Sequence, residues 1–487
     1  MNMTNTVPQL PRSLPEEQGI CSTGVSAFLN RIKELNIELH SIMLLRHGHV
    51  VAEGWWSPYS PELPHMLFSL SKSFTATAIG LAVSEQLLSL EDKLVSFFPD
   101  EAPAELSDNL AQMNIRHLLM MGSGHTTDTM TVMLQSSDGD WVRAFLQLPV
   151  EKEPGTYFMY NTGATYMLSA VLQKVSGQTL LEYLGPRLFT PLGIQNPTWE
   201  SCPRGINTGG YGLNITTEDI AKFGQLYLQQ GQWNNRQILS REWVAAASAK
   251  QIANGDESPD SGEWSQGYGY QFWKCRHGAF RADGAFSQLC IVMPEQDAVV
   301  AVTSGTNEMQ QVMDTVWEFL LPAMKSAPLH LEQSSAAAEL AVQLGSLKIL
   351  PPRCKRTSTL ESSLSGQVYQ MEANEMGTDT FQVSFSGDEA VMTTHGSSGT
   401  QSIVFGREAW NACSASIMPS PTGQNAIMAS FTWAAEDKLQ LTMQLIETAF
   451  YLTAEVTVKE NSILLTQYIN VAIGPNEPVT VAGYLKE

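Results

Sequence analysis

Phe68-Ser69-Leu70-Ser71-Lys72-Ser73-Phe74-Thr75 decides how this chain is read. Ala76 to Val83 follows as an apolar, helix-like run. Positions i and i+3 of a helix share one face, one turn apart. Ser69 therefore carries its hydroxyl beneath the amine of Lys72. A serine is a weak nucleophile until a base takes its proton, and a desolvated lysine can serve as that base. Ser-x-x-Lys alone is a common pattern, so its meaning depends on partners elsewhere in the chain.

Two further stretches supply candidates. Tyr160 lies in Tyr157-Phe158-Met159-Tyr160-Asn161-Thr162-Gly163-Ala164. A phenol is neutral at pH 7, but its anion is favoured beside a buried ammonium, which predicts Tyr160 as acceptor of the serine proton. The bland alternative is an aromatic core residue that opens a helix. The second stretch is Arg281-Ala282-Asp283-Gly284-Ala285-Phe286-Ser287-Gln288, set between strand-like runs. Gly284 lets a substrate backbone come close. The amides of Ala285 and Ser69 could point at a developing oxyanion, a donor pair of the kind worth about 3–4 kcal/mol each. Here the bland alternative is a β-bulge. Gln288 is a candidate to hydrogen-bond near the substrate, and Trp56 a candidate wall of the acyl pocket, with core packing as the alternative. His65 is near Ser69 in sequence, but with Lys72 in place no histidine base is needed.

Around these stretches the pattern predicts an α/β (α+β) fold. Ser41–Leu45 and Val50–Gly54 flank Arg46-His47-Gly48-His49, a hairpin signal. A second strand cluster runs from Tyr268 to Thr303, with a turn at Pro294–Asp297. The middle is helical: Tyr166–Ser176 stops at Gly177, and Thr216-Thr217-Glu218-Asp219 opens a helix like a capping box. Early and late strands around a helical middle imply one antiparallel sheet with helices packed on it. After Leu321 the composition changes. We place a first, α/β domain at 1–328, a helical and Pro/Ser-rich linker at 329–366, and an antiparallel β barrel or sandwich at 367–487. Alternation such as Leu439-Gln440-Leu441-Thr442-Met443-Gln444-Leu445 carries that last reading.

Taken in order, these motifs resemble the serine β-lactamase-related hydrolases: class C β-lactamases, D-alanyl-D-alanine carboxypeptidases, family VIII esterases and 6-aminohexanoate-dimer hydrolase. The likeness covers about Leu14 to Leu321. It includes the Ser69 motif, the loop Gly122-Ser123-Gly124-His125, the Tyr160 motif and its helix, Pro191-Leu192-Gly193-Ile194 and the Glu218–Gly224 helix. It implies a sheet flanked by helices, a helical lobe and a cleft between them. It also implies Ser69 as nucleophile, Lys72 and Tyr160 as the proton-transfer pair, a covalent acyl-enzyme, and no cofactor or metal. Two departures bear on substrate. The family's Tyr-x-Asn reads Tyr160-Asn161-Thr162, which replaces an amide with the shorter hydroxyl of Thr162. The family's Lys-Thr-Gly or His-x-Gly reads Ala282-Asp283-Gly284, so the cation that recognises a substrate carboxylate is missing. Strand alternation puts Arg281 and Asp283 on one side and Ala282 on the other.

The expected activity is a serine hydrolase acting on a small-molecule ester or amide. A D-amino-acid peptidase or weak β-lactamase is the alternative within enzymes. A non-catalytic binding or sensor protein on this scaffold is the alternative outside them. A net charge of -21 over 487 residues argues against nucleic acid and anionic membranes as partners. Six scattered cysteines, and a proline-bearing start without an apolar run, fit a reducing cytoplasm. The C-terminal domain has three open readings: a cap on the cleft, a surface for a homo-oligomer, or a stabiliser.

Overall fold

A computed structural model describes residues 9–255, 261–329, 334–397, 399–420 and 422–486. The chain divides into two compact units. One runs to Gly54 and resumes over Pro64–Ser346; the other comprises Trp55–Leu63 and Leu347–Glu487.

The first unit is built on a six-stranded antiparallel sheet. Its strands are β1 (Leu39–Arg46), β2 (His49–Trp55), β3 (Trp273–Lys274), β4 (Phe280–Gly284), β5 (Gln288–Met293) and β6 (Ala298–Ser304), in spatial order β2-β1-β6-β5-β4-β3. The expected hairpin and the distant strand cluster thus join in one sheet, with Ser41 opposite Thr303. Tyr268–Gln271, read as strand, forms only isolated bridges through Tyr268. Every residue of β1 and β6 is buried, because a central strand covered on both faces needs apolar side chains on both.

Three helices matter for the site: α1 (Ser71–Ser84), α2 (Thr162–Ser176) and α3 (Thr217–Leu228). Residues Ser71 to Ala82 of α1 are all buried, as expected of a helix apolar on every side. α2 ends on Gly177 at φ 70, the left-handed cap predicted for it. α3 opens on a capping box between Thr216 and Asp219. A short sheet of His65–Met66, Leu213–Ile215 and Thr198–Trp199 lies just ahead of Ser69.

The boundaries differ from those expected. Helix Ser334–Gly345 belongs to the first unit rather than to a linker; Gln343 Nε2 donates to Asn30 Oδ1 at 3.0 Å. Trp55–Leu63 leaves the first unit, because Ser57 N donates to Leu347 O and Ile349 N to Ser57 O, and the Tyr59 hydroxyl donates to Thr448 O.

The second unit is a barrel of ten strands: β7 (Val368–Met371), β8 (Thr378–Ser386), β9 (Glu389–Gly396), β10 (Gly399–Arg407), β11 (Asn411–Ala415), β12 (Asn425–Ala435), β13 (Lys438–Leu445), β14 (Tyr451–Val458), β15 (Ser462–Ile469) and β16 (Val479–Leu485). Their order is β10-β9-β8-β7-β16-β15-β14-β13-β12-β11. A parallel pairing of Gly406–Arg407 with Ser430–Phe431 joins β10 to β12, which closes the sheet. Leu439, Leu441, Met443 and Leu445 point into its core beside Phe381, Phe405, Phe431 and Trp433, as the period-2 pattern predicts.

Candidate active site

Ser69 sits in a one-turn 3-10 helix, Phe68–Leu70, that runs directly into α1. Phe68 holds φ 49, a left-handed conformation uncommon for a bulky side chain. The surroundings hold it there. Leu67 N donates to Leu213 O at 3.0 Å. The Ser71 hydroxyl donates to Phe68 O at 2.6 Å and accepts from Leu213 N at 3.2 Å. The Phe68 ring meets Phe286 edge-on at 5.1 Å.

One turn later, Lys72 is 1% exposed. Its Nζ lies 3.0 Å from Ser69 Oγ, 2.8 Å from Gly210 O and 3.5 Å from Thr162 Oγ1. Burial brings this amine down from the ordinary 10.5 to about 7, with Asp128 and Asp283 pulling the other way. Gly210 allows this arrangement: a Cβ there would stand 2.6 Å from Thr162 Cγ2.

Tyr160 joins the pair. Its hydroxyl hydrogen-bonds the Ser69 side chain, and its ring stacks on Trp273 at 5.2 Å. Lys72 Nζ lies 4.8 Å from the ring centroid. Burial pushes the phenol well above its ordinary value, outweighing the Ser69 hydrogen bond, and the nearby Asp283 and Asp128 charges add to the rise. The phenolate expected from sequence is therefore not favoured: the cost of burying its charge dominates.

Asn161, between Tyr160 and Thr162, is the N-cap of α2. Its Oδ1 accepts from Gly163 N at 3.1 Å and from the Thr129 hydroxyl at 2.8 Å. Its amide oxygen is thus committed to the helix cap. Thr162 N donates to Asp128 Oδ1 at 2.9 Å.

β4 brings the third motif alongside. A Cβ on Gly284 would stand 2.1 Å from Leu67 O, so the closeness that glycine permits is used by the nucleophile turn itself, not by a substrate. Arg281 and Asp283 share a side, with Nε to Oδ2 at 2.6 Å. Arg281 also lies 3.7 Å from Glu263 Oε2 and 4.6 Å from the Trp264 ring. Burial pushes the Asp283 carboxyl up, and Arg281 pulls it back. Beyond Gly284 the chain turns through Ala285, with Phe286 and Ser287 at φ 64 and 65.

Gln288 is fully buried behind this turn. Its Nε2 donates to Ala285 O, Phe286 O and Ser304 O, and its Oε1 accepts from Ser304 N. It holds the turn in place. Trp56 lies in the segment that groups with the second unit, whereas Tyr160, Thr162 and Gly210, the partners of Ser69 and Lys72, come from the first. His65 bonds His40 at 2.9 Å. His125 bonds Ser123 at 3.0 Å and packs on Phe145.

Sequence reasoning missed Gly210, Asp128 and Glu263. The doublet Gly209-Gly210 and the position of Asp128 just before a helix start were the signals available.

The beta-lactamase family profile matches residues 32–323, more than half of the chain. The chain belongs to the beta-lactamase family. Among its relatives is 6-aminohexanoate-dimer hydrolase of Paenarthrobacter ureafaciens, 22% identical over 303 residues that span 58% of this chain and 77% of that protein. Another is Penicillin-binding protein 4 of Amycolatopsis lactamdurans, 24% identical over 277 residues, 49% of this chain and 71% of that protein. The solved structure of EstCE1, a hydrolase with promiscuous acyltransferase activity, superposes with TM-score 0.52 at 19% identity. It covers 63% of this chain and all of its own. That likeness establishes the shared fold.

Proposed function

We propose that the protein is a serine hydrolase that cleaves small esters or amides through an acyl-enzyme on Ser69. The observation that carries this reading is the buried Lys72 amine, 3.0 Å from Ser69 Oγ and brought to about 7. A neutral amine has two N–H donors and one lone pair. Gly210 O can only accept, so it takes one N–H and leaves the lone pair free for the Ser69 proton. The neutral Tyr160 hydroxyl donates to Ser69 Oγ from its own side.

In the first step Ser69 Oγ bonds to the acyl carbon and its proton passes to Lys72 Nζ. The oxyanion that forms sits between the Ser69 and Ala285 amides. When the bond to the leaving alkoxide or amine breaks, the proton moves from Lys72 to the departing atom, with the Tyr160 hydroxyl bridging. Water then attacks the acyl carbon. Lys72 takes a proton from that water and hands it to Ser69 Oγ as the acyl–oxygen bond breaks, which restores the free hydroxyl and the neutral amine. Ala282 takes the position at which the related enzymes carry a cation, and its neighbour Asp283 is paired with Arg281. That arrangement favours substrates with no carboxylate beside the scissile bond.

A fluorophosphonate reagent should add one label per chain, on Ser69, and p-nitrophenyl butyrate should be hydrolysed. Ser69→Ala should lose both. Full turnover in Ser69→Ala, or a label elsewhere, sinks the proposal.

A further inference from the structure

Three titratable side chains outside the catalytic set form a row that ends on the strand leading into Ser69. Glu38 directly precedes β1, His40 lies in β1, and His65 opens the short strand His65–Met66. His40 Nε2 lies 3.0 Å from Glu38 Oε1, and His40 Nδ1 lies 2.9 Å from His65 Nε2. His65 Nδ1 lies 3.0 Å from Met66 O. His40 and His65 are 0% and 3% exposed.

These three contacts ask for more protons than two neutral rings supply. The row has an acceptor at each end, the Glu38 carboxylate and the Met66 carbonyl. Each outer contact needs a proton, and so does the contact between the rings. A neutral imidazole has a single N–H, and its other nitrogen is an acceptor. With both N–H groups pointing outward, two lone pairs face each other between the rings. With both pointing toward Glu38, the His65 Nδ1 lone pair faces Met66 O. With both pointing toward Met66, the His40 Nε2 lone pair faces the carboxylate. Every neutral arrangement leaves one buried contact unmade, and a buried polar group left without its bond is costly. Burial pushes His40 below its ordinary value and Glu38 pulls it up. A third proton between Glu38 Oε1 and His40 Nε2 completes all three bonds, and the count is the same on either atom.

The far end of the row bears on the nucleophile. Met66 pairs with Asn214, and Leu67 N donates to Leu213 O. Phe68 follows at φ 49, a conformation that persists only where the surroundings fix it. A donor on His65 Nδ1 fixes the Met66 carbonyl ahead of that turn; a lone pair there repels it.

We propose that Glu38, His40 and His65 hold a third proton in common, and that the hydrogen-bonded row it completes positions the Ser69 turn. The positioning role rests on the Ser69 reading, whereas the proton count does not. Neutron diffraction from crystals of the deuterated full chain at pH 7 should show a nucleus in all three gaps; an empty gap overturns the count. Fluorophosphonate labelling and p-nitrophenyl butyrate turnover test the positioning. His65→Leu should slow labelling and lower kcat by about tenfold or more, as misplacing a reacting group does, with KM held within about twofold. His65→Asn places an amide N–H where Nδ1 stood, and Glu38→Gln fills the outer gap with an amide N–H in place of the third proton. Each should label several-fold faster than His65→Leu. If His65→Leu does not fold, His65→Gln takes its place, because its longer amide reaches toward His40 and not Met66 O. A folded His65→Leu or His65→Gln that labels as fast as the parent overturns the positioning role. So does a His65→Asn no faster than the variant it is compared with. A parent that takes no label refutes the Ser69 reading, and the neutron density still decides the proton.

Discussion

The pH dependence of acylation is the sharpest test of the Lys72 arrangement. Only the unprotonated amine has a lone pair for the Ser69 proton. With the amine at about 7, its neutral fraction falls tenfold per pH unit below that point. Acylation at pH 5 should run about a hundredfold below its plateau, and the plateau should begin near pH 8. The same shift acts on stability. In the unfolded chain lysine keeps its proton to about 10.5, whereas in the folded chain Lys72 keeps it only to about 7. Between those values folding releases a proton, so stability rises with pH by about 1.4 kcal/mol per unit. Below pH 7 the full cost of burying the cation is present, about 5 kcal/mol as an upper bound. Lys72→Met should therefore be inactive yet more stable than the parent, by about 1–4 kcal/mol near pH 6. That margin should shrink as the pH climbs toward 10. Single-turnover acylation by a p-nitrophenyl ester from pH 5 to 9 measures the first effect, and urea unfolding across the same range measures the second. A flat acylation profile between pH 5 and 8, or an inflection near 10, would falsify the assignment. A Lys72→Met variant destabilised equally at every pH would remove its electrostatic basis.

Three other outcomes are expected. Gly284→Ala forces a Cβ to within 2.1 Å of Leu67 O; it should cost about 1–3 kcal/mol of stability by overpacking and depress esterase turnover far more than Ser73→Ala does. Arg281→Met leaves Asp283 buried beside Glu263 without its cation, so urea unfolding should show a loss of about 3–5 kcal/mol. The double variant Arg281→Met/Asp283→Leu should recover a large part of it. Benzylpenicillin should be turned over poorly, because its carboxylate meets Asp283 and no free cation; rapid hydrolysis at micromolar substrate, followed by ultraviolet absorbance, would contradict this.

The parts of the site legible in the sequence are those set by local geometry. Ser69 and Lys72 are one helical turn apart, and Tyr160 lies just ahead of the Asn161 cap of α2. The capping box of α3 and the His47–Gly48 hairpin follow from short-range chemistry in the same way. What escaped depends on distant loops. Gly210 reaches Lys72 across 138 residues, and Glu263 meets Arg281 from an irregular segment. Neither carries a periodicity that sequence can register. The charge state of Tyr160 escaped differently: Ser69 and Lys72 were foreseen beside it, but the balance between an adjacent cation and desolvation depends on how deeply the hydroxyl is enclosed. The grouping of Trp55–Leu63 with the second unit escaped for the same reason as Gly210: Ser57 pairs with Leu347 and Ile349, almost three hundred residues further along the chain.

The course of the chain bears on how such a protein can be inherited. It passes from one unit to the other after Gly54, after Leu63 and after Ser346. A gene fusion that carried off residues 347–487 would leave behind Tyr59, whose hydroxyl donates to Thr448 O and accepts from Gln444 Nε2. It would also leave behind the Ser57 backbone that pairs with Leu347 and Ile349. The reciprocal fragment would keep a nine-residue excursion with nothing to pair against. Recombination at a single junction therefore cannot transfer either unit whole. Moving the barrel whole takes three junctions, after Gly54, Leu63 and Ser346, and a single crossover leaves Trp55–Leu63 without its pairing strands.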